Sequence, residues 1–227
     1  GVRHIDVKFR SDDHFIVGPN PDDSGTARYR RTTPVIGAGY ELTPALHVFA
    51  SAGRGFETPT FVELAYRPDG QPGLNFDLKP AQTTNYEAGV KALVGSYTQA
   101  TAAVFHSITK NEVVAATSSG GRNTFTNASE TSRQGIELAA NVTVEALSVY
   151  VSYTYTDAVF ERFTNVSGQD LSGKRLPGVP RHVLYGEITW QHPASGFSTA
   201  LEARAASKLY ANDANSAAAD SYAAINW

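Results

Sequence analysis

The charged and glycine-rich segments that could do chemistry are few, and spacing decides what each can be. Gly168-Gln-Asp-Leu-Ser-Gly173-Lys174 has the glycine and lysine spacing of a phosphate-wrapping loop. Arg175 stands where Ser or Thr would meet magnesium, and Leu176-Pro-Gly-Val-Pro180 cannot open the helix whose N-terminus holds the anion. Asn20-x-Asp22-x-Ser24-Gly25 echoes a calcium loop, but Arg31 occupies the twelfth position, where a bidentate Glu belongs. Asp12, Asp13, Asp22 and Asp23 could still make an irregular cation site, against the plainer reading of a solvated acidic loop. The six His residues show no ligand spacing, so no metal bound directly by protein is expected. Asp157, Glu161, Asp170 and His182 could supply an acid and a base near one loop, yet no nucleophile elbow accompanies them and no catalytic residue is assigned. The Asn-x-Ser/Thr triplets at Asn127, Asn141 and Asn165 are unremarkable.

Composition narrows the class of scaffold that must carry these groups. In 227 residues, 41% are hydrophobic, 11% aromatic and 18% charged, which fits neither a disordered chain nor a helical membrane protein. No apolar stretch approaches the ~18 residues of a transmembrane helix. A β-barrel escapes that test, because its strands alternate apolar and polar residues. The net charge of −3 has no basic stripe behind it, so no nucleic-acid partner is expected. There is no Cys, hence no disulfide or thiolate site. The start at Gly1, with neither Met nor a signal-like segment, reads as a processed or partial chain.

Period-two alternation organises the sequence. Leu147, Val149, Val151, Tyr153 and Tyr155 alternate with Ser148, Tyr150, Ser152 and Thr154. Tyr86, Ala88, Val90 and Ala92 alternate with Asn85, Glu87, Gly89 and Lys91; Ile5, Val7 and Phe9 alternate with His4, Asp6 and Lys8. The same pattern sets Ile136, Leu138 and Ala140 against Gly135 and Glu137, and Leu201, Ala203 and Ala205 against Glu202 and Arg204. About ten strands are predicted: 2–10, 29–42, 46–56, 82–94, 97–109, 122–129 joined to 132–144, 147–160, 181–191, 197–209 and 222–227. Residues 122–129 could instead form a loop hairpin with 111–117.

Short turns are expected at 42–46, 94–97, 143–147 and 192–196, and long connections at 11–28, 57–81, 110–131, 161–180 and 210–221. Strict alternation of short and long favours an antiparallel outer-membrane barrel, with turns on one side and loops on the other, over a soluble sandwich. Tyr40, Phe49, Phe56, Tyr86, Tyr97, Phe105, Tyr150, Tyr153, Tyr155, Trp190 and Phe197 are then candidates for aromatic girdles, or else ordinary core aromatics.

Residues 49–91 carry a more specific signal. Arg54-Gly-Phe56-Glu-Thr-Pro59, Gly73-Leu-Asn75, Leu78-Lys-Pro80 and Asn85-Tyr-Glu87-Ala-Gly89-Val-Lys91 resemble, in order and spacing, successive strand and loop signatures of TonB-dependent receptors. Asn127, Arg133-Gln-Gly135-Ile-Glu137, Tyr153-Thr-Tyr-Thr-Asp157 and Leu176-Pro-Gly178-Val-Pro180-Arg-His182 extend the resemblance to nearly the whole chain, and its flavour is that of ferric-siderophore receptors.

That resemblance implies an all-β transmembrane barrel of the bacterial outer membrane, of which residues 1–227 would be about ten of about 22 strands, without plug domain or TonB box. It implies import of an iron chelate, energised by the TonB complex, with outer-membrane lipid, the chain's own plug and further strands as partners. No covalent chemistry and no resident cofactor are implied, the ferric chelate being cargo. Loop candidates for ligand contact are Tyr66, Arg67, Arg122, Arg162 and Tyr210, because guanidinium forks suit carboxylates and aromatic faces suit flat ligands. Glu87, Lys91, Arg133 and Glu137 are expected to face the lumen and the plug. A soluble β-sandwich that binds a ligand, and an outer-membrane barrel hydrolase, are the alternatives.

Overall fold

The computed structural model describes residues 1–17, 22–71, 73–119 and 121–227, with only the backbone at Ser119. Ten strands form one antiparallel sheet in chain order. These are β1 (Val2–Ser11), β2 (Gly25–Thr43), β3 (Leu46–Glu57), β4 (Ala81–Val94), β5 (Thr98–Ser119), β6 (Arg122–Val144), β7 (Leu147–Arg162), β8 (His182–Gln191), β9 (Ser198–Ala206) and β12 (Tyr222–Asn226). The short β10 (Leu209–Tyr210) and β11 (Ala218–Ala219) pair separately within the last connection. Every neighbour in the large sheet is also a neighbour in sequence, the meander that an up-and-down wall requires. Short turns fall where alternation ends, and Gly95, at φ 64°, supplies the left-handed residue of the β4–β5 turn.

Residues opposed across an antiparallel ladder share a face, so register assigns sides throughout. One face runs Val48, Val90, Ala102, Leu138, Tyr153 and Leu184 across β3 to β8. The other runs His47, Lys91, Thr101, Ala139, Ser152, Tyr185 and Arg204 across β3 to β9. We call these the apolar and polar faces. The alternation read from 82–94, 132–144 and 147–160 is reproduced residue for residue.

Three features differ from the sequence reading. Residues 110–131 are no long loop: β5 and β6 run on together, with Glu112 opposite Ala128 and Ser119 opposite Arg122. Residues 122–129 therefore both continue 132–144 and form a hairpin with 111–117. Nine residues beyond the last β4 pairing, at ~3.3 Å each, carry this hairpin roughly 30 Å past its neighbour. Secondly, Phe49, Phe105 and Tyr150 sit on the polar face rather than in a girdle. Phe49 lies over Gly89 and Phe105 over Gly135, where an added Cβ would stand 2.6 and 2.7 Å from the rings; Tyr150 packs on Tyr185 at 6.0 Å. A missing side chain on one strand makes room for an aromatic on the next.

The third difference is one of side. Ile5, Val7 and Phe9 fall on the polar face and Asp6 and Lys8 on the apolar one, because β1 pairs only with residues 25–34 of β2. There the inner face is roofed by the 58–80 connection: Phe9 meets Tyr29 at 6.1 Å and Phe61 at 6.4 Å, and the Tyr29 hydroxyl donates to the Leu78 carbonyl at 3.0 Å. Leu64, Leu74, Leu78 and Ala81 complete this small core. A second core, of Ala128, Ala158, Phe160, Phe163, Leu171 and Leu176, forms where residues 163–181 fold onto the polar face of β6 and β7. Both cores lie at the long-connection end, while apolar-face residues such as Val90, Leu138, Val151 and Ile188 stay exposed.

Candidate functional site

The cavities of interest open at the long-connection end, on the polar face. One, of about 420 Å³, is bounded by Glu57 and Glu63, by Thr83 and Asn85 of β4, by Ser107 and Thr109 of β5, and by Glu112 and Arg133. Its floor is hydrogen-bonded across the ladder, Thr83 to Thr109 at 2.9 Å and the Ser107 hydroxyl donating to Asn85. A second cavity of about 510 Å³ shares Glu112, Val113 and Arg133 with the first and continues to Asn165, Leu176 and Asp213. The Arg133–Glu112 pair forms the partition. The guanidinium donates to Glu112 Oε1 at 2.5 Å and Oε2 at 3.0 Å, and the Thr131 hydroxyl donates to the same carboxylate. A two-pronged pair of this kind fixes orientation as well as charge.

Two asparagines hold the walls. Asn127 on β6 accepts from the Lys79 amide at 2.9 Å and donates to the carbonyls of Lys79 and Asn111, both at 2.9 Å. Asn75 donates to the Phe125 carbonyl at 3.1 Å. The 58–80 connection is thereby tied to the projecting hairpin. Within it, Thr60 and Glu63 cap one another, the Thr60 amide donating to the Glu63 carboxylate at 2.6 Å. Asn215 does for the 163–181 segment what Asn127 does for the other: it accepts from the Arg175 amide at 2.8 Å and donates to the Arg175 carbonyl at 2.8 Å.

Of the loop candidates, two come together and a third lies beside them in the chain. The Arg122 guanidinium at the hairpin tip stands 5.0 Å from the centroid of the Tyr66 ring, a cation–π contact, and Arg67 follows Tyr66 in the chain. Arg67 is already engaged by Asp69 at 2.8 Å and Asp77 at 3.4 Å. The hydrogen bond to Asp69 is the main cause of a raised Arg67 pKa, and the same bond holds the Asp69 carboxyl below its usual range. Arg162 lies elsewhere, paired with Glu130 at 3.2 Å. Tyr210 lies in β10 with Lys208 over its ring at 5.6 Å.

Glu87, Lys91, Arg133 and Glu137 all fall on the polar face. Lys91 rests over the Phe49 ring at 5.5 Å. The acidic loop is held by local bonds: Asp12 pairs with Arg10, Asp13 accepts from the Phe15 and Asp23 amides, and Asp22 accepts from the Ser24 amide at 2.8 Å. Asn20 lies outside the described residues, and among those described no group of three or more His, Asp or Glu is arranged to hold a metal. In the former phosphate-loop candidate, Ser172 hydrogen bonds hold the Asp170 carboxyl low. Asp157 and His182 bond to Arg181 and Tyr153 rather than to each other. Sequence reasoning missed Glu112 and Asn215, and it named Asn75 only within the Gly73-Leu-Asn75 signature, without its fastening role.

Comparison with known proteins agrees with this architecture. The family described as TonB dependent receptor-like, beta-barrel matches residues 1–227. The metal-pseudopaline receptor CntO of Pseudomonas aeruginosa is 32% identical over 163 residues, 71% of this chain and 21% of CntO. The vitamin B12 transporter BtuB of Photobacterium profundum is 31% identical over 154 residues, 66% of this chain and 25% of BtuB. The chain thus spans about a quarter or less of these relatives. Among solved structures, the ferric yersiniabactin uptake receptor FyuA from Yersinia pestis superposes with TM-score 0.66 at 19% identity, over 89% of this chain and 30% of FyuA. The relatives are transport receptors rather than enzymes, as the sequence led us to expect. The chain belongs to the TonB-dependent receptors, β-barrel proteins of the bacterial outer membrane.

Proposed function

We propose that these residues form part of the wall and outer loops of a receptor that takes up a metal chelate of the ferric-siderophore type, energised by the TonB complex. In this reading the ten strands belong to a closed barrel of about 22. The apolar face meets lipid and the polar face, which carries Glu87, Lys91, Arg133 and Glu137, meets a plug domain, with Glu87, Lys91 and Glu137 available to pair with it while Arg133 is held by Glu112. The observation that carries the ligand class is the Arg122–Tyr66 pair. It offers an accessible guanidinium and an exposed aromatic ring, 5.0 Å apart, at the tip of the projecting hairpin. An anionic, planar chelate matches both. The relative named for a metal–pseudopaline ligand supports a metal-bearing cargo.

The test is binding and uptake by the full-length protein of ferric catecholate and ferric carboxylate chelates, with cyanocobalamin as competitor. Saturable, TonB-dependent uptake of a ferric chelate is expected, weakened about tenfold by Arg122→Ala, in keeping with the ~1.5–3 kcal/mol of a charge-assisted contact. Uptake of cobalamin with no ferric chelate bound would overturn the assignment.

A further inference from the structure

The 163–181 segment returns to the sheet through a bridge between Val159 and Arg175. The Phe160 amide donates to the Lys174 carbonyl at 2.8 Å and the Leu176 amide to the Ala158 carbonyl at 3.0 Å. Leu176 therefore joins Ala158 and Phe160 in the core on the polar face. Arg175, opposite Val159, goes to the other side, at the margin of the apolar face. Its Nε and Nη2 are closed off from solvent and have no acceptor.

Among the described residues, no unpaired carboxylate acts on Arg175. Desolvation first, and then the charge of Arg181, work against its ionised form. The carboxylate within reach, Asp157, is already held by Arg181 at 2.9 Å. Lys208 lies over the ring of Tyr210, whose backbone carbonyl accepts from the Gly178 amide at 2.9 Å, so it belongs to the same corner. Three cations thus share one margin with a single carboxylate. Guanidinium nitrogens withdrawn from water without a counter-ion are unfavourable, and with Arg181 and Lys208 beside them this margin is suited to receive an anion.

The neighbours say from which side the anion comes. Next along the same face, the rings of Tyr153 and Tyr155 lie 6.1 and 5.3 Å from that of His182, with Tyr153 hydroxyl to His182 Nδ1 at 2.8 Å. Beyond them, Val151, Leu184 and Ile188 are exposed. Aromatics with a polar tip mark the boundary between acyl chains and headgroups, and cations just past that boundary stand level with headgroup phosphates. We propose that Arg175, Arg181 and Lys208 form a binding site for the phosphorylated headgroup of an outer-leaflet lipid. The site rests on the assignment of the apolar face to lipid.

The test is native mass spectrometry of the full-length protein in mild detergent with lipid A, alongside its dephosphorylated form and inorganic phosphate. Retention of lipid A is expected to exceed that of the dephosphorylated lipid. It should fall at least tenfold in Arg175→Gln/Arg181→Gln and a few-fold in Lys208→Gln, while Arg10→Gln retains it. Heat-modifiable migration of each variant on gels reports that the barrel is folded. Equal retention by folded double variant and parent would overturn the proposal, as would inorganic phosphate displacing lipid A at equal concentration. Quenching of Trp190 fluorescence by brominated acyl chains tests the lipid-facing side separately: quenching with no lipid A preference sinks the site alone, and absence of quenching sinks the face assignment.

Discussion

The wall and the loop end of this molecule use the same alternating strands for opposite purposes. In the wall, Leu138 and Val151 turn to the apolar face and stay exposed, while Ala139 and Ser152 turn to the polar face. At the loop end, Ile5, Val7, Phe9 and Tyr29 turn to that same polar face, the first three half-buried and Tyr29 buried, while Asp6, Lys8 and Arg28 turn outward. With the apolar face assigned to lipid as proposed above, what lies outside decides: lipid draws apolar residues out, and water sends them in beneath the loops. Sidedness is therefore a property of height along a strand, not of the strand.

The comparison breaks most readily at its cores. Phe160 is fully buried under the 163–181 segment, and Phe160→Ala should cost about 3–5 kcal/mol of local stability. Limited proteolysis should then cut within 163–181 while the wall keeps its heat-modifiable migration. Simultaneous loss of wall and loop would mean that the two regions are not separable. Next in size, Leu138→Arg should destabilise the wall by about 2–4 kcal/mol in refolding titrations from urea into lipid vesicles. Its neighbour Ala139→Arg, on the polar face, should stay within about 0.5 kcal/mol; equal costs would erase the distinction between faces.

The smallest effect sharpens the loop end. Burial raises the Asp213 carboxyl above its ordinary value, so between that value and the raised one the folded loop binds more protons than the unfolded one. Its stability falls as pH rises through this window and is regained in mild acid. Protection factors over 207–221, corrected for the intrinsic pH dependence of amide exchange, should rise as pH falls through this window. In Asp213→Asn this contribution to the pH dependence should vanish.

The wall was legible in the sequence because a half-exposed strand must alternate, and Tyr86 to Ala92 or Leu147 to Tyr155 do so without interruption. Alternation names two faces without saying which is outermost, so β1 was read correctly as a strand with no means of orienting it. The β5–β6 projection escaped for a related reason: both faces of 112–128 lie beyond the apolar band, and its Ser, Thr and Asn residues mimic a loop. At the site, Arg67 and Asp69 are two residues apart and their pairing could have been foreseen. Tyr66 and Arg122 are joined only by the return of a long connection onto a distant hairpin. The pairing of Glu112 with Arg133 likewise depends on a ladder that composition did not announce.

Among the described residues, Asn127 and Asn215 grip main-chain atoms only: the amide and carbonyl of Lys79 and of Arg175, and the carbonyls of Asn111, Asn212 and Asp213. A clasp that touches no side chain is indifferent to what those side chains are. The side chains around each clasp can then be exchanged while the fastening stays the same. Two asparagines would let the connections at this end of the sheet change their surface chemistry without coming loose.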